Sequence, residues 1–263
     1  MKSPSVVGIL GGMGPAAGAD FARLFVRACA AQLPSLGLPV SDQSFPEHWL
    51  AQVPVPDRTA ALSAPKAEMP GAHQPLDPML QALGKLAALG ATTVAVACNT
   101  AHAWHGLLQQ RFPQIEVLHV AREVARTLQL QGVREVGLLA TTGTYRAGLY
   151  DSVLRDAGIV CHAPNDAERA CLMAGIYQGV KVNNLAHARA CFEPVAQQLT
   201  QRHHLSTLIL GCTEIPLALP AVTDHPQLQL IDPAWVLAQA LAQRAYQGLA
   251  TNTVQGTPSA EMF

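Results

Sequence analysis

The sequence predicts an α/β fold made of two pseudo-symmetric domains, each with a parallel sheet, and a ligand site in the cleft between them. Short apolar runs alternate along the chain with longer segments of helical periodicity. Such alternation is typical of parallel sheets covered by helices on both faces. The apolar runs are continuous, as strands buried on both faces require. In addition, three features of the first half of the chain recur in the same order in the second half.

The elements follow from these patterns in chain order. Strands are predicted where short apolar runs occur, at 6–10, 93–97, 116–119, 136–140, 159–162, 207–210 and 229–231. Helices are predicted where the periodicity is helical, at 16–31, 78–89, 103–111, 122–131, 145–157, 184–203 and 233–247. The stretch 54–78 contains six prolines and is predicted to be a long irregular connection.

The internal repeat suggests where the two domains divide. Each copy has a strand leading into a turn with glycine, then a strand ending in cysteine and a polar pair, then Pro-Gln and a further strand. The copies are GILGGMG, VAVACNT and PQIEVLHV at 8–14, 94–100 and 113–120, and GLLATTG, LILGCTE and PQLQLIDP at 137–143, 208–214 and 226–233. We expect a first domain of residues 1–119, completed by the C-terminal helix 232–263, and a second domain of residues 120–231.

Composition and charge exclude several classes of protein. The 17 basic and 18 acidic side chains give a net charge of −1, and four lysines occur among the 263 residues. A nucleic-acid-binding surface normally shows clustered basic residues. Apolar runs fall far short of the ~20 residues of a membrane-spanning helix, and the run 6–10 is too short for a signal peptide. We expect a cytoplasmic protein that binds neither nucleic acid nor membranes.

Two of the six cysteines occupy matching places in the repeat. Cys98 and Cys212 each follow a predicted buried strand, and ligands of open α/β sheets bind at the carboxyl ends of strands. A pseudo-twofold axis would place these thiols on opposite sides of one cleft. The pair His102-x-x-His105 lacks a thiolate at zinc-binding spacing. It is predicted to form one face of a helix, and no metal site is expected.

Facing thiols suit proton transfer at a carbon atom. A thiolate is a base and a thiol is a usable acid near neutral pH, because the free pKa of cysteine is about 8.5. Together they would remove a proton from one face of a carbon and deliver one to the other, which is racemisation. Two alternatives stay open at this point: nucleophilic attack by a single cysteine, and two buried structural cysteines without chemistry.

Six motifs together resemble the aspartate racemases, of the aspartate/glutamate/hydantoin racemase superfamily, which uses no pyridoxal phosphate. In family order, and over nearly the whole chain, they are GGMGP at 11–15, PDRT at 56–59, ACNTAH at 97–102, LATTGT at 139–144, GIYQGVK at 175–181 and GCTEIP at 211–216. The resemblance implies a cofactor-independent racemase of aspartate, with glutamate also considered. It also implies that the protein is a homodimer and that it binds a small acidic amino acid.

The same motifs imply roles for individual residues. Cys98 and Cys212 would be the two acid/base residues. Arg58 and Lys181 would hold the side-chain carboxylate, as a two-pronged guanidinium and a point charge respectively. The other substrate-binding positions implied by the motifs are Met13, Gly14, Asn99, Thr100, Thr142, Thr144, Thr213 and Glu214. Backbone N–H groups at the glycine turns would stabilise the charge of the deprotonated α-carbon.

Several alternatives to an aspartate racemase remain. A hydantoin racemase and a maleate-type isomerase belong to the same superfamily, although Arg58 with Lys181 favours a dicarboxylate over a neutral hydantoin ring. A non-catalytic small-molecule-binding protein on the same fold is the alternative from another class. A redox thiol pair would need Cys98 and Cys212 within disulfide distance. Aspartate and glutamate differ by one methylene, worth only about 1–3 kcal/mol in a pocket.

Overall fold

A computed structural model of the chain describes residues 3–63, 74–220 and 227–249. These residues form two four-stranded sheets in which the paired strands run parallel. The strands are β1 (Val7–Gly11), β2 (His48–Gln52), β3 (Thr93–Val96), β4 (Glu116–Val117), β5 (Glu135–Ala140), β6 (Val160–His162), β7 (Thr207–Gly211) and β8 (Gln229–Ile231).

Helices connect the strands and cover both faces of each sheet. They are α1 (Pro15–Gln32), α2 (Arg58–Ser63), α3 (Leu76–Ala88), α4 (His105–Arg111), α5 (Val120–Leu130), α6 (Thr142–Arg146), α7 (Asp151–Asp156), α8 (Asp166–Ala174), α9 (Leu185–His203), α10 (Ile215–Ala218) and α11 (Pro233–Tyr246). Among the described residues, none of the helices is long and apolar enough to cross a membrane.

The two sheets have the same strand order. The first sheet has the order β2-β1-β3-β4 and the second the order β6-β5-β7-β8. The first strand of each half in chain order, β1 or β5, therefore lies second from one edge of its sheet. This equivalence confirms the predicted α/β fold with two parallel sheets. The domain limits, 1–119 with 232–263 and 120–231, stay a prediction, and residues 250–263 of that assignment lie outside the described residues.

A shared hydrophobic core joins the halves. Ile9 on β1, Leu138 on β5 and Ile209 on β7 are buried in one cluster together with side chains of α1, α5 and α11. The outer face of the first sheet is covered by α3 and α4, and that of the second by α9 and α10. The central strands are thus buried on both faces, which explains their continuous apolar runs.

The turn after β1 requires glycine. Gly12 has a φ of +92°, and a Cβ at this position would overlap the backbone of Val53. The turn places Met13 and Gly14 at the start of α1, whose first residue is Pro15. Proline suits the first position of a helix, because its fixed φ is already helical and no N–H is lost there. The loop therefore delivers residues 13 and 14 to the carboxyl edge of the first sheet.

The short helices α2 and α10, strand β2 and helix α8 were not predicted, and the last two are instructive. Strand β2 lies at a sheet edge and is half-exposed, with the residues His48, Trp49, Leu50, Ala51 and Gln52, so it lacks the continuous apolar run of a central strand. Helix α8 is short and largely polar, yet it begins with a capping box between the N-cap Asn165 and Glu168. The Asn-x-x-Glu spacing is the sequence feature from which the start of this helix could have been predicted.

Three predicted segments differ in the structure. The helix predicted at 145–157 is two helices, α6 and α7, because the chain turns at Gly148 with a φ of +57°. The stretch 54–78 is not wholly irregular, since it contains α2 and the start of α3; residues 64–73 lie outside the described residues. His102 lies in a 3₁₀ turn, Thr100–Trp104, and His105 begins α4, so the pair does not share one α-helical face.

Candidate active site

Two strand ends, one from each sheet, face each other across a small cavity of about 20 Å³. Cys98 follows β3 and Cys212 follows β7, and both side chains are buried. The cavity is lined by side chains from both halves: Met13, Arg58, Thr59, Cys98, Asn99, Thr100, Thr141, Ile176, Tyr177, Lys181, Cys212, Thr213 and Glu214. The predicted cysteines and the predicted cations thus meet at one place.

Three predicted residues lie beside the cavity instead of lining it. A Cβ at Gly14 would be 3.8 Å from the Nζ of Lys181, so this glycine is adjacent to the site. Thr144 is buried one layer behind, where its Oγ1 lies 3.0 Å from that of Thr100. Thr142 lines a separate outer groove, and its N–H faces the Sδ of Met173 at 3.4 Å.

Four lining residues were not predicted, namely Thr59, Thr141, Ile176 and Tyr177. Each lies inside one of the six motifs of the resemblance. Its position next to a predicted site residue was therefore the only sequence feature that could have indicated it. The Tyr177 hydroxyl donates a hydrogen bond to Asp57 Oδ2 at 2.6 Å. This bond ties the π-helical turn Gly175–Gly179 of the second half to the loop before α2 of the first half.

Cys98 lies beside a positive charge. Burial raises the pKa of its thiol, and the Arg58 guanidinium opposes that rise by stabilising the thiolate. The N–H of Ala101, in the 3₁₀ turn that follows, also favours the thiolate, whereas Glu214 disfavours it. A cation and a backbone donor thus favour the charged form of Cys98, although burial leaves its pKa raised.

Arg58 holds the loops on its own side of the cavity together. Its Nη1 donates to the carbonyl groups of Val55 and Pro56 at 3.0 and 3.1 Å, and its Nη2 donates to that of Met13 at 2.6 Å. Its buried Nε has no hydrogen-bond acceptor among the described residues. The guanidinium is thereby fixed in place.

Cys212 lies beside a negative charge. Its thiol donates a hydrogen bond to Glu214 Oε2 at 3.0 Å, and the Thr213 hydroxyl donates to the same oxygen at 3.0 Å. Lys181 Nζ donates to Glu214 Oε1 at 2.8 Å. Burial raises the pKa of Cys212 well above its usual value, and the Glu214 carboxylate raises it further. Cys212 is thus held as a thiol.

Glu214 stays ionised although it is buried. Burial alone would raise its pKa, but the Lys181 ammonium and the hydrogen bonds from Cys212, Lys181 and Thr213 outweigh burial and lower it. Reciprocally, burial would lower the pKa of Lys181, but Glu214 raises it. Both members of the ion pair are therefore charged at neutral pH.

Buried hydroxyl groups connect the two walls. Thr100 Oγ1, from the first half, lies 2.9 Å from Thr141 Oγ1 and 3.0 Å from Thr144 Oγ1, both from the second half. Next to them, the Tyr150 hydroxyl donates to Asn99 Oδ1 at 2.5 Å. These bonds orient the Asn99–Thr100 pair that follows Cys98, and hydroxyl groups adapt readily as donors or acceptors to a carboxylate.

Two buried histidines, His102 and His105, and the partly exposed His119 support the Cys98 loop from behind. The ring centroids of His102, His105 and His119 lie 4.7–6.3 Å apart, and His102 Nδ1 is 2.9 Å from the Cys98 carbonyl oxygen. Burial lowers the pKa of His102 to about 4 and that of His119 to about 3, so both rings are neutral at pH 7. Within the described ranges, no group of three or more His, Cys, Asp or Glu side chains is arranged to hold a metal ion.

The paired α/β halves, with one strand-end cysteine each across a shared cleft, place the chain in the class of amino-acid racemases. It belongs to the Asp/Glu/Hydantoin racemase family, whose sequence pattern matches residues 10–241. It is 26% identical over 249 residues to the broad specificity amino-acid racemase RacX of Bacillus subtilis, covering 92% of this chain and 100% of that protein.

Solved structures show the same fold. The chain matches the Picrophilus torridus aspartate racemase with a TM-score of 0.70 and 28% identity, covering 93% of this chain and 94% of that one. It matches a putative Asp/Glu racemase from Yersinia pestis with a TM-score of 0.72 and 24% identity, covering 92% and 100%; this second likeness concerns the fold alone. The chain is therefore an isomerase of the amino-acid racemase type.

Proposed function

We propose that the protein racemises aspartate, with glutamate as the further candidate, without pyridoxal phosphate and by proton transfer between the substrate and two cysteines. The observation that carries the proposal is the pair of buried thiols on opposite walls of one cavity. Each thiol has a different charged neighbour, Arg58 for Cys98 and Glu214 for Cys212. Such an arrangement suits one base and one acid acting on the two faces of a carbon.

We assign the base to Cys98, the thiol that becomes a thiolate when substrate binds, and the acid to Cys212, which stays a thiol. Arg58 favours the charged form of Cys98, whereas Glu214 disfavours the charged form of Cys212 and accepts its hydrogen. The ammonium group of a bound amino acid would add a second positive charge beside Cys98. This charge would offset the burial that otherwise raises the pKa of the thiol.

The reaction then needs two proton transfers. The Cys98 thiolate removes the α-proton from one face of the substrate, and the Cys212 thiol delivers its proton to the other face. The intermediate carries negative charge on the α-carbon and its carboxylate. The amide of Asn99 and the hydroxyl of Thr100 would stabilise that charge because they are held in position beforehand. Cys212 is left as the thiolate, and the opposite enantiomer starts from that state.

The charges of the cavity fit an acidic amino acid. Arg58 and Lys181 are cationic and Glu214 is anionic, so the ionised lining side chains leave one net positive charge while both cysteines are thiols. Aspartate and glutamate carry one net negative charge at neutral pH. A carboxylate could lie between the Arg58 guanidinium and the Lys181 ammonium, while Glu214 limits the positive charge on the Lys181 side.

The experiment that tests this proposal follows the α-proton signal of L- and D-aspartate and L- and D-glutamate by proton NMR in D₂O, with no added pyridoxal phosphate. Loss of the signal from both aspartate enantiomers is the expected result. The Cys98→Ala/Cys212→Ala double variant is the blank, and Cys161→Ala, which removes a part-buried thiol outside the cavity, is the matched control.

Absence of exchange with all four acidic amino acids would overturn the substrate assignment. Exchange with a hydantoin would then indicate a hydantoin racemase. A covalent adduct on one cysteine, seen by mass spectrometry after incubation with maleate, would indicate a nucleophilic isomerase. Binding of an acidic ligand without exchange of any substrate would indicate a binding protein on this fold.

We also propose a cytoplasmic homodimer. Strand β2 is a sheet edge, and it exposes Trp49 and Leu50, which are 40% and 38% accessible. Exposed apolar side chains on an edge strand are normally covered by a partner or protected from pairing. Light scattering coupled to size-exclusion chromatography should give twice the monomer mass, and Trp49→Glu with Leu50→Lys should give the monomer if β2 lies in the interface.

A further inference from the structure

A second thiol pair lies outside the active-site cavity, between α8 and α9. The Cys171 thiol donates to the carbonyl oxygen of Cys191 at 3.4 Å, and Cys191 Sγ lies 3.7 Å from Nε2 of His187. Burial raises the pKa of Cys191 to about 11, and the neighbouring Cys171 thiol contributes to the rise. The Cys171 thiol therefore contacts the backbone of Cys191, although the two cysteines lie 20 positions apart in the chain.

One member of the pair can be reached from solvent. Cys171 is partly exposed, whereas Cys191 is buried at 7% accessibility. The close packing at this point depends on Gly175, where an added Cβ would lie 2.9 Å from the Cβ of Cys191. A disulfide needs its Cβ atoms about 3.5–4.5 Å apart. An exposed thiol with a buried thiol directly behind it is the arrangement of an attacking and a resolving cysteine.

We propose that Cys171 and Cys191 form a site of reversible oxidation, whose oxidant is a low-molecular-weight disulfide such as oxidised glutathione. The Cys171 thiolate attacks one sulfur of the oxidant and releases one glutathione thiolate, which leaves a mixed disulfide on Cys171. Cys191 passes its proton to His187 and attacks the Cys171 sulfur, which releases the second glutathione thiolate. The protein loses two protons and two electrons, and the oxidant is reduced to two thiols.

The disulfide would close the segment 171–191 into a loop. This loop contains Ile176, Tyr177 and Lys181, which form part of the wall of the cavity. Closing a loop of this length restricts the unfolded chain, so the oxidised protein should unfold at a higher temperature, by about 5 °C. The bond would also hold α8 and α9 together on either side of the segment that carries Lys181.

Mass spectrometry after oxidation tests the proposal. The full-length protein is incubated with oxidised glutathione, free thiols are alkylated, and trypsin is added. Cleavage after Arg169, Lys181, Arg189 and Arg202 leaves peptides 170–181 and 190–202, each with one cysteine. We expect these peptides to be joined, with the intact mass lowered by two hydrogen atoms. The joined peptides should persist in Cys161→Ser and disappear in Cys171→Ser, whose racemase activity should match the wild type.

Three results would overturn the proposal. One is a glutathione adduct that remains on Cys171 without ring closure. Another is a cross-link between Cys98 and Cys212 in place of the expected pair. The third is the absence of oxidation at residues 171 and 191 under conditions that modify Cys161. Because Cys191 is buried and its substitution could impair folding, the partly exposed Cys171 carries the decisive variant, and unfolding of that variant is checked by circular dichroism.

Discussion

Glu214 Oε2 lies 3.0 Å from Cys212 Sγ and accepts its hydrogen, while the other carboxylate oxygen is held by an ammonium group. The Cys212 thiol is therefore oriented and kept protonated by a single side chain two residues further along the chain. Cys98 has the opposite kind of neighbour, the Arg58 guanidinium. The pseudo-twofold axis of the backbone is thus not matched by a twofold arrangement of charge.

Glu214→Gln should slow racemisation by about 100-fold, the low end of the range for an acid–base group. The variant keeps the size of the side chain but removes the charge, so the pKa of Cys212 should fall and Lys181 should lose its partner. Steady-state kinetics with both enantiomers measure the effect. Because racemisation has an equilibrium constant of one, kcat/KM must fall by the same factor in both directions. Glu214→Asp is the control that retains the charge, and an unaltered pH profile in Glu214→Gln would contradict the assigned role.

Each single cysteine variant should lose racemisation but keep a half-reaction. In Cys212→Ala, the Cys98 thiolate can still remove the α-proton and return a deuteron to the same face. We expect exchange of one aspartate enantiomer without inversion in Cys212→Ala and of the other enantiomer in Cys98→Ala. Proton NMR in D₂O together with chiral chromatography measures exchange and inversion separately. Inversion in either variant would rule out the two-base scheme.

Arg58→Lys should raise the pH at which the enzyme becomes active. A lysine keeps the charge but cannot bridge the carbonyl groups of Val55, Pro56 and Met13, so the cation moves away from Cys98. Since the Arg58 charge lowers the pKa of Cys98 against burial, its displacement raises that pKa. In a plot of kcat/KM against pH, the rise of activity on the acid side should therefore occur at a higher pH. An acid limb at the wild-type position, with raised KM alone, would indicate that Arg58 only binds substrate.

Tyr177→Phe should raise the KM by about 3–10-fold and leave kcat nearly unchanged, because it removes a hydrogen bond worth about 1 kcal/mol across the mouth of the cavity. The bond joins Tyr177 to Asp57 at 2.6 Å. Its loss should also raise the pKa of Asp57, which Tyr177 lowers against burial. In a double-mutant cycle, the effects of Tyr177→Phe and Asp57→Asn on KM should be non-additive. Additive effects on KM would show that the two residues act separately.

The histidine cluster should make the protein acid-sensitive. The pKa of His119 is about 3 in the folded state and about 6.5 in the unfolded chain, so the unfolded state binds more protons between these values. The stability is fully present above about pH 6.5 and is lost as pH falls toward 3, by about 1.4 kcal/mol per pH unit. Urea unfolding at several pH values measures this loss.

His119→Asn is the matched variant for that measurement. His119 is the N-cap of α5, where its side chain accepts from the Arg122 N–H, and asparagine is a favourable N-cap without a titratable ring. We expect a shallower decline of the unfolding free energy below pH 6.5. The control is His204→Asn at an exposed position with a φ of +51°, where asparagine is also tolerated. An equal decline in wild type and His119→Asn would refute the assignment.

The strand-end cysteines could be predicted because a continuous apolar run fixes where a buried strand ends. That rule and the internal repeat were sufficient to identify Cys98 and Cys212 as candidate site residues. The partners of the cysteines were harder to predict, since the contact between Lys181 and Glu214 depends on how two distant segments approach. Tyr177 was missed because its role depends on the π-helical turn that aims it at Asp57. Periodicity does not reveal such a turn.

The edge strand and the polar helix show a second limit of sequence patterns. Strand β2 is recognisable only from its partner β1, to which it pairs from Val7↔His48 to Gly11↔Gln52. Helix α8 buries little more than Leu172 and Glu168, so its apolar stripe is too narrow for a periodic signal. In both elements, tertiary contacts supply the stability that local sequence does not display.

The packing of α11 against α1 has a consequence for how the protein is made. These two helices bury each other's apolar faces in the shared core, yet α1 leaves the ribosome long before α11. Until α11 emerges, the face of α1 formed by Phe21, Phe25 and Ala28 lacks part of its final cover. Although N-terminal domains generally fold first during synthesis, the first half of this nascent chain must wait for one of its last helices.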